Sequence, residues 1–259
     1  MSADELTAAG AIPDTALALL SAAPVEIVGR MPWASNGTFL VRLLDTEADA
    51  GDRRDDDVDP LDDPRPQAIY KPVRGERPLW DFEPGLHRRE VAAYLLSEAL
   101  GLGCVPPTVA RDDAPLGLGS LQWFVHADHR QHYFTILEQR VDLHDQLKGI
   151  AVLDLVANNT DRKSGHCLLT GDRVWAIDNG LCFASEDKLR TVIWEFAGEQ
   201  LTDSQHGALT AIADRVPDDI VALLDDDEVE AVAERAGALA RAGILPTDPS
   251  GRRYPWPLV

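Results

Sequence analysis

The spacing of apolar and polar positions divides the chain into a strand-rich first half and a helical second half. A short amphipathic helix opens at Pro13-Asp14, and "VEIVGRMPWASNGTFLVRLL" then holds two β-rich runs, residues 25–29 and 38–44. They flank Ala34-Ser35-Asn36-Gly37, and Asn-Gly between apolar runs is a strong hairpin signal. "AIYKP" is a strand stopped by proline. "LHRREVAAYLLSEALG" puts Val91, Leu95, Leu96 and Ala99 on one helical face and closes on Gly101. "CVPPTVAR" and "SLQWFV" supply two more strands, so residues 25–125 read strand, strand, strand, helix, strand, strand.

Beyond residue 143 the period becomes helical. "LHDQLKGIAVLDLVANN" is apolar along Leu147, Ile150, Ala151 and Leu155, with Asp154 the exception, and ends at Asn158-Asn159. Residues 167–169 and 174–177, joined at Gly171-Asp172, form a small hairpin. Residues 201–243 are helical again, opening on acids and carrying bases toward the end, as the helix dipole favours. The fold class expected is α+β: a β-rich N-lobe over 1–125 joined to an α-rich C-lobe over 126–259, with a cleft between them.

Composition narrows the partners. The chain has 259 residues and a formal charge of −20, which repels nucleic-acid backbone and anionic headgroups, and no basic patch overrides it. Nucleic acid and stable membrane association are therefore not expected. The stretch "TALALLSAAP" superficially resembles a signal segment but is preceded by acids rather than bases, and no apolar run reaches the length of a membrane span. A cytoplasmic location follows as the expectation. Cys104, Cys167 and Cys182 sit in apolar runs and read as buried thiols in a reducing compartment. Residues 45–67 are acid-dense and aperiodic, which reads as a solvated loop and does not match an EF-hand.

The candidate chemistry is metal-assisted phosphoryl transfer. That reaction needs one carboxylate to orient the acceptor hydroxyl, a second to hold a divalent cation on the phosphates, and a strand lysine to neutralise phosphate oxygens. Asp161 is followed five residues later by His166, and Asp178-Asn179-Gly180 comes one hairpin further on. This is the order in which a catalytic aspartate, a second metal ligand and a metal aspartate follow one another in kinases. Lys71 ends the strand "AIYK", and Glu90 near the start of the next helix is the carboxylate expected to fix it, with Glu98 as the fallback. Arg162 and Lys163 have two readings: they meet an anionic ligand, or they pair with carboxylates of the chain itself. Trp123 and Trp175 read as core. His126, His129 and His132 read as a loop rather than a metal cluster. "RRYPWPLV" either covers an apolar groove or lies loose.

"SNGTFLV", "AIYKP", "REVAAYLLSEALGLGCVPPTVAR", "GSLQWFV", "NTDRKSGH" and "AIDNGLCF", in that order, resemble the phosphatidylinositol 3/4-kinase superfamily, most closely the type II phosphatidylinositol 4-kinases and uncharacterised bacterial relatives. The resemblance implies a bilobal, kinase-like fold with the ATP cleft between the lobes, and an ATP-dependent phosphotransferase using Mg²⁺ or Mn²⁺. It places Ser35, Asn36 and Gly37 over the ATP phosphates, Lys71 against them and Glu90 paired with Lys71. The backbone from Gln122 through Phe124 to Val125 would be the adenine-binding hinge, Asp161 the catalytic aspartate, and Asp178 the metal ligand.

Two departures bear on activity. His166 stands where the family usually has asparagine, and imidazole suits Mn²⁺ better than Mg²⁺. The cysteine-rich palmitoylated insertion of the type II lipid kinases is absent. The acceptor, whether protein, small molecule or lipid headgroup, and the oligomeric state are not fixed by the sequence. Two alternatives keep the fold: a nucleotide-binding pseudokinase acting as a regulatory module, and a nucleotidyl transferase.

Overall fold

The structure is a computed structural model, and it describes residues 13–31, 36–44, 63, 65–79, 82 and 84–258. Ser35 and most of the acidic stretch, residues 45–62 and 64, lie outside the described residues. The chain forms two compact units, Met1–His87 with Pro106–His126, and Arg88–Val105 with Ala127–Val259. The helix that carries Glu90, which the sequence reading counts in the N-lobe, thus groups almost entirely with the second unit.

The first unit begins with helix α1 (Pro13–Ala22) and builds one antiparallel sheet from β1 (Val25–Arg30), β2 (Phe39–Leu43), β3 (Gln67–Pro72), β4 (Thr108–Arg111) and β5 (Gly119–Trp123). The strand order is β1-β2-β3-β5-β4. β1 and β2 pair from Val25↔Leu43 to Arg30↔Phe39, with a bulge between Ile27 and Gly29, as the Asn-Gly pattern predicts. α1 packs on β4 through Ala16 and Leu20. Arg111 donates to the Leu20 and Ala23 carbonyls at 3.2 and 2.6 Å, satisfying acceptors that the end of a helix leaves open.

Two glycines fix the approach of the phosphate-loop candidate to β3. The Gly37 N–H donates to the Gly75 carbonyl at 2.8 Å, and a Cβ on Gly37 would lie 2.9 Å from the Gly75 Cα. Only glycine allows two backbones that close. Asp63 departs from the expectation of a solvated acidic loop. It is 5% exposed and binds Arg42 at 2.6 Å and Arg65 at 2.8 Å, sharing with Glu26, at 2.8 Å, the counter-charge of the buried Arg42.

In the second unit, α2 (Leu86–Ala99, all but its first two residues) leads into α3 (Tyr133–Gln139) and α4 (His144–Ala157). The hairpin β6 (Cys167–Thr170) and β7 (Arg173–Ala176) follows, and then α5 (Asp203–Asp214), α6 (Asp218–Val221) and α7 (Asp226–Ala242). α5 packs on α7, α7 on α4, and β7 on α4. α3 is an element that the sequence reading leaves unassigned. Its N-cap is His132, while His126 and His129 precede it in loop, and no group of three metal-binding side chains occurs among the described residues. α4 is buried on Leu147, Ile150 and Ala151 as expected, but Leu155 of the same expected face is only partly buried and Asp154 is 0% exposed. Asn158 ends α4 in the left-handed region, at φ 52°.

Candidate active site

The loop that leaves α4 and the loop that leaves β7 are tied together by one buried ion pair. Arg162 and Asp154 are both 0% exposed, with Nη2 and Oδ1 2.9 Å apart and Nε on the same carboxylate at 3.0 Å. The two remaining directions of the guanidinium fork reach the Ile177 carbonyl at 2.7 Å and the Asn179 Oδ1 at 2.6 Å. Arg162 therefore grips the residues on both sides of Asp178. The carboxylate of Asp154 is filled in turn by the Asn159 amide at 3.1 Å and the Thr191 hydroxyl at 2.9 Å. Burial disfavours the charge on Arg162, but the Asp154 carboxylate overrides it and holds the guanidinium pKa above its ordinary value. Of the two sequence readings of Arg162, pairing within the chain is the one observed.

Asp178 needs such a grip because it sits at φ 58°, a conformation that costs a non-glycine residue about 1–3 kcal/mol. The Asn179 N–H donates to the Glu90 Oε2 at 3.1 Å, so the α2 carboxylate anchors the same turn. Glu90 is 2% exposed. The Asp178 side chain is half-exposed, and its Oδ2 lies 3.5 Å from the His166 Nε2.

His166 closes the 3₁₀ turn Ser164–His166 and is largely buried. Its Nδ1 faces the Lys163 N–H at 3.4 Å, an arrangement in which Nδ1 accepts and Nε2 carries the ring proton toward Asp178. Burial lowers its pKa, against the opposing pull of Asp178. Asp161 is about one-quarter exposed and pairs with the Lys163 Nζ at 2.8 Å. Its N–H donates to the Asn159 Oδ1 at 2.9 Å, which fixes where the carboxylate leaves the loop. The second unit thus brings Asp161, Lys163, His166 and Asp178 into one constellation, with Glu90 behind it.

The chemistry of this donor set fits a divalent cation. The Asp178 carboxylate is one donor, the His166 imidazole 3.5 Å away becomes a second only when its proton moves from Nε2 to Nδ1, and phosphate oxygens would complete the shell. No group of three His, Cys, Asp or Glu side chains with metal-binding spacing occurs among the described residues, so oxygens of a bound phosphate would be needed to help fill the shell.

In the first unit, Lys71 lies on β3 opposite Ser120, and Gly119 is pressed against Lys71, where a Cβ would meet the Lys71 carbonyl at 2.5 Å. The Asn36 Oδ1 accepts the Arg77 N–H at 3.1 Å. Gln122 spends its side chain inside the sheet, donating to the Thr108 hydroxyl at 3.0 Å. The Phe124 N–H is taken by the Gln67 carbonyl at 3.0 Å, and Val125 is buried.

The sequence reading missed Asp154, Asn159 and Asn179 as members of the site. The available signal was Asp154 itself, a carboxylate inside the apolar run "VLDLV", which demands a buried partner. The segment "RRYPWPLV" also belongs here. The Arg253 carbonyl accepts the Thr191 N–H at 3.0 Å, and the Leu258 carbonyl accepts the Ser164 N–H at 2.8 Å, so this stretch straps the Asp161–His166 loop from outside.

No protein-family profile matches the chain. Solved structures share its fold. A Golgi casein kinase with Mn and ADP bound superposes with a TM-score of 0.54 at 16% identity, over 92% of this chain and 80% of that one. A hydra Fam20 structure with sugar superposes with a TM-score of 0.52 at 13% identity, over 87% and 86%. The fold is therefore a mixed α/β, bilobal, kinase-like one. The chain is 34% identical over 278 aligned positions to Protein Rv2133c of Mycobacterium tuberculosis (strain ATCC 25618 / H37Rv), covering 93% of this chain and 94% of that protein. On that relationship the chain belongs to the family of the mycobacterial protein Rv2133c.

Proposed function

We propose that the chain is an ATP-dependent phosphotransferase. The observation that carries this reading is the Arg162 grip on both sides of Asp178, with Asp161 next to Arg162 in sequence, on a kinase-like fold. Asp161 orients the acceptor hydroxyl and takes its proton. Lys163 holds the Asp161 carboxylate in place until an anionic group arrives to compete for the ammonium. Lys71 neutralises phosphate oxygens, and the backbone around Asn36 and Gly37, with Ser35, covers them. Since the Phe124 N–H and the Gln122 side chain are spent within the sheet, recognition of a base at the hinge falls to the backbone of Val125. Asp178 and His166 are the residues that would hold Mg²⁺ or Mn²⁺, which neutralises charge on the transferred phosphoryl group when bound.

The finer placement in the phosphatidylinositol 3/4-kinase superfamily rests on the sequence motifs, and the acceptor is a hydroxyl on a protein, a small molecule or a lipid headgroup. A second reading, a nucleotide-binding pseudokinase, is favoured by one contact: the Lys163 N–H on the His166 Nδ1 leaves the proton on the nitrogen that faces Asp178.

Single-turnover consumption of ATP with Mg²⁺ or Mn²⁺ tests both. Active protein yields ADP, and Asp161→Ala and Asp178→Ala each lower the rate by at least about 10²-fold. Nucleotide bound but never consumed selects the pseudokinase, while release of pyrophosphate in place of ADP selects nucleotidyl transfer. Unchanged turnover in both variants places the chemistry elsewhere.

A further inference from the structure

The segment that leaves β3 reaches two other parts of the first unit at once. After Lys71 and Pro72 the chain makes one 3₁₀ turn, Val73–Gly75, and the Val73 N–H fastens that turn to the Leu118 carbonyl at 2.8 Å. The end of the turn meets the phosphate-loop candidate twice. The Gly37 N–H donates to the Gly75 carbonyl at 2.8 Å, and the Arg77 N–H donates to the Asn36 Oδ1 at 3.1 Å. Glu76 stands between these two contacts, and its carboxylate is committed elsewhere. Its Oε2 accepts the Gly85 N–H at 2.9 Å and its Oε1 the His87 N–H at 3.3 Å. Gly85 immediately precedes α2, and His87 is the second residue of that helix. All of these residues belong to the first unit.

The first N–H groups of a helix have no partner within it and carry the positive end of its dipole, so a carboxylate placed there is doubly favoured. α2 has no acid in its own first turn, and Glu76 supplies one from outside the helix. The Glu76 side chain is 13% exposed. Burial alone would raise its pKa, but the His87 side chain, with Nδ1 3.8 Å from Oε1, and the two N–H groups outweigh that and hold the carboxyl below its ordinary value. A plain helix cap needs only the contacts to Gly85 and His87. Here the capping residue also carries, on its two chain neighbours, both contacts to Asn36 and Gly37.

Resting on the phosphotransferase reading, we infer that Glu76 is a positioning residue for the nucleotide phosphates. Its grip on the start of α2 fixes the span Gly75–Arg77, and that span holds Asn36 and Gly37 in the conformation in which they cover the phosphates. Glu76 touches no phosphate itself. A loop held in its binding conformation beforehand has less freedom to lose when the ligand arrives, and the affinity rises accordingly.

The test is calorimetric titration of the full chain with ATP and Mn²⁺, with no acceptor present. Glu76→Gln keeps the shape but removes the charge and sets an amide N–H against one of the two donors, and it is expected to weaken ATP binding about 10-fold. Glu76→Asp keeps the charge at shorter reach and falls between Glu76→Gln and wild type. Asn36→Ala opens the other end of the same linkage, so the double variant Asn36→Ala/Glu76→Gln binds no more than about 2-fold more weakly than the weaker single variant. Asp63→Asn loosens the same unit away from this loop and leaves ATP affinity unchanged. ATP affinity unaltered in Glu76→Gln, additive losses in the double variant, or an equal loss in Asp63→Asn would each overturn the assignment while the phosphotransferase reading stands. A wild-type chain that binds no ATP would overturn both.

Discussion

Removing the Asp154 carboxylate tests the grip on the Asp178 turn most directly. In Asp154→Ala, the Arg162 guanidinium stays at 0% exposure but loses the acceptor of its Nε and one of the two acceptors of its Nη2. Thr191 and Asn159 lose an acceptor as well. Breaking a buried pair from one side costs about 3–5 kcal/mol, because the surviving charge is stranded. The same figure follows from two charge-assisted hydrogen bonds at about 1.5–3 kcal/mol each. Against a total stability of about 5–15 kcal/mol this is a large loss. With a urea m-value of about 2–3 kcal/mol/M, the midpoint falls by about 1–2 M. Urea unfolding followed by amide exchange within α4 measures it in the second unit itself. The double variant Asp154→Leu/Arg162→Met removes both charges and recovers much of the stability, as apolar replacement of buried pairs commonly does. It does not restore the hold on Ile177 and Asn179, so ATP turnover stays low while the fold returns. An Asp154→Ala midpoint within about 0.3 M of wild type would refute the claim that this pair is desolvated and structural.

Three further outcomes are expected. Burial alone would raise the pKa of Asp63, but hydrogen bonds from Arg65 and Arg42 outweigh it and bring it from 3.8 to about 2. A depressed carboxylate stabilises fully above its unfolded pKa and loses that contribution as pH falls, so melting scans between pH 4 and pH 2 show wild type losing about 1 kcal/mol, after solvent screening, that Asp63→Asn does not lose. Gly37→Ala drives a Cβ to 2.9 Å from the Gly75 backbone and lowers Tm by about 5 °C, whereas Gly29→Ala, with nothing within 4 Å, leaves Tm unchanged; equal Tm values for the two would mean the glycine contact is not a constraint. The thiols of Cys104 and Cys167 are pushed up by burial to about 11 and about 12, and Cys182 is raised as well, so a disulfide reagent at pH 8 labels none of the three until the protein unfolds.

Much of the succession of strands along the chain was legible because β-rich runs are separated by turns that carry their own chemistry. Asn36-Gly37 marks the β1–β2 connection, Pro72 stops β3, and Gly171 with Asp172 turns β6 into β7. α3 was not legible, since its seven residues are too few to display a period and its N-cap, His132, is a weak capping residue. Asp63 was misread for a different reason. Inside a run of acids, nothing local separates the one carboxylate that meets Arg42 from its solvated neighbours, and the choice is made by β2 from 21 residues away.

The same distinction runs through the candidate site. Asp161, His166 and Asp178 could be proposed from order and spacing, the pattern in which phosphoryl-transfer groups follow one another along a chain. Their supports could not, because support is a matter of burial. Arg162 looks like any cation beside a catalytic acid until its exposure of 0% is known, and full burial leaves a guanidinium little choice but a carboxylate partner. That partner had to be Asp154, the one acid among the buried positions of α4, eight residues back along the chain. The pairing in turn forces the geometry of Asp178. A fork with fixed directions, pinned on one edge by Asp154, has its remaining N–H groups aimed where the Ile177 carbonyl and the Asn179 amide must come to meet them. These two contacts, on the residues either side of Asp178, hold it in its left-handed backbone conformation. Its half-exposed carboxylate lies outside these contacts, 3.5 Å from the His166 Nε2.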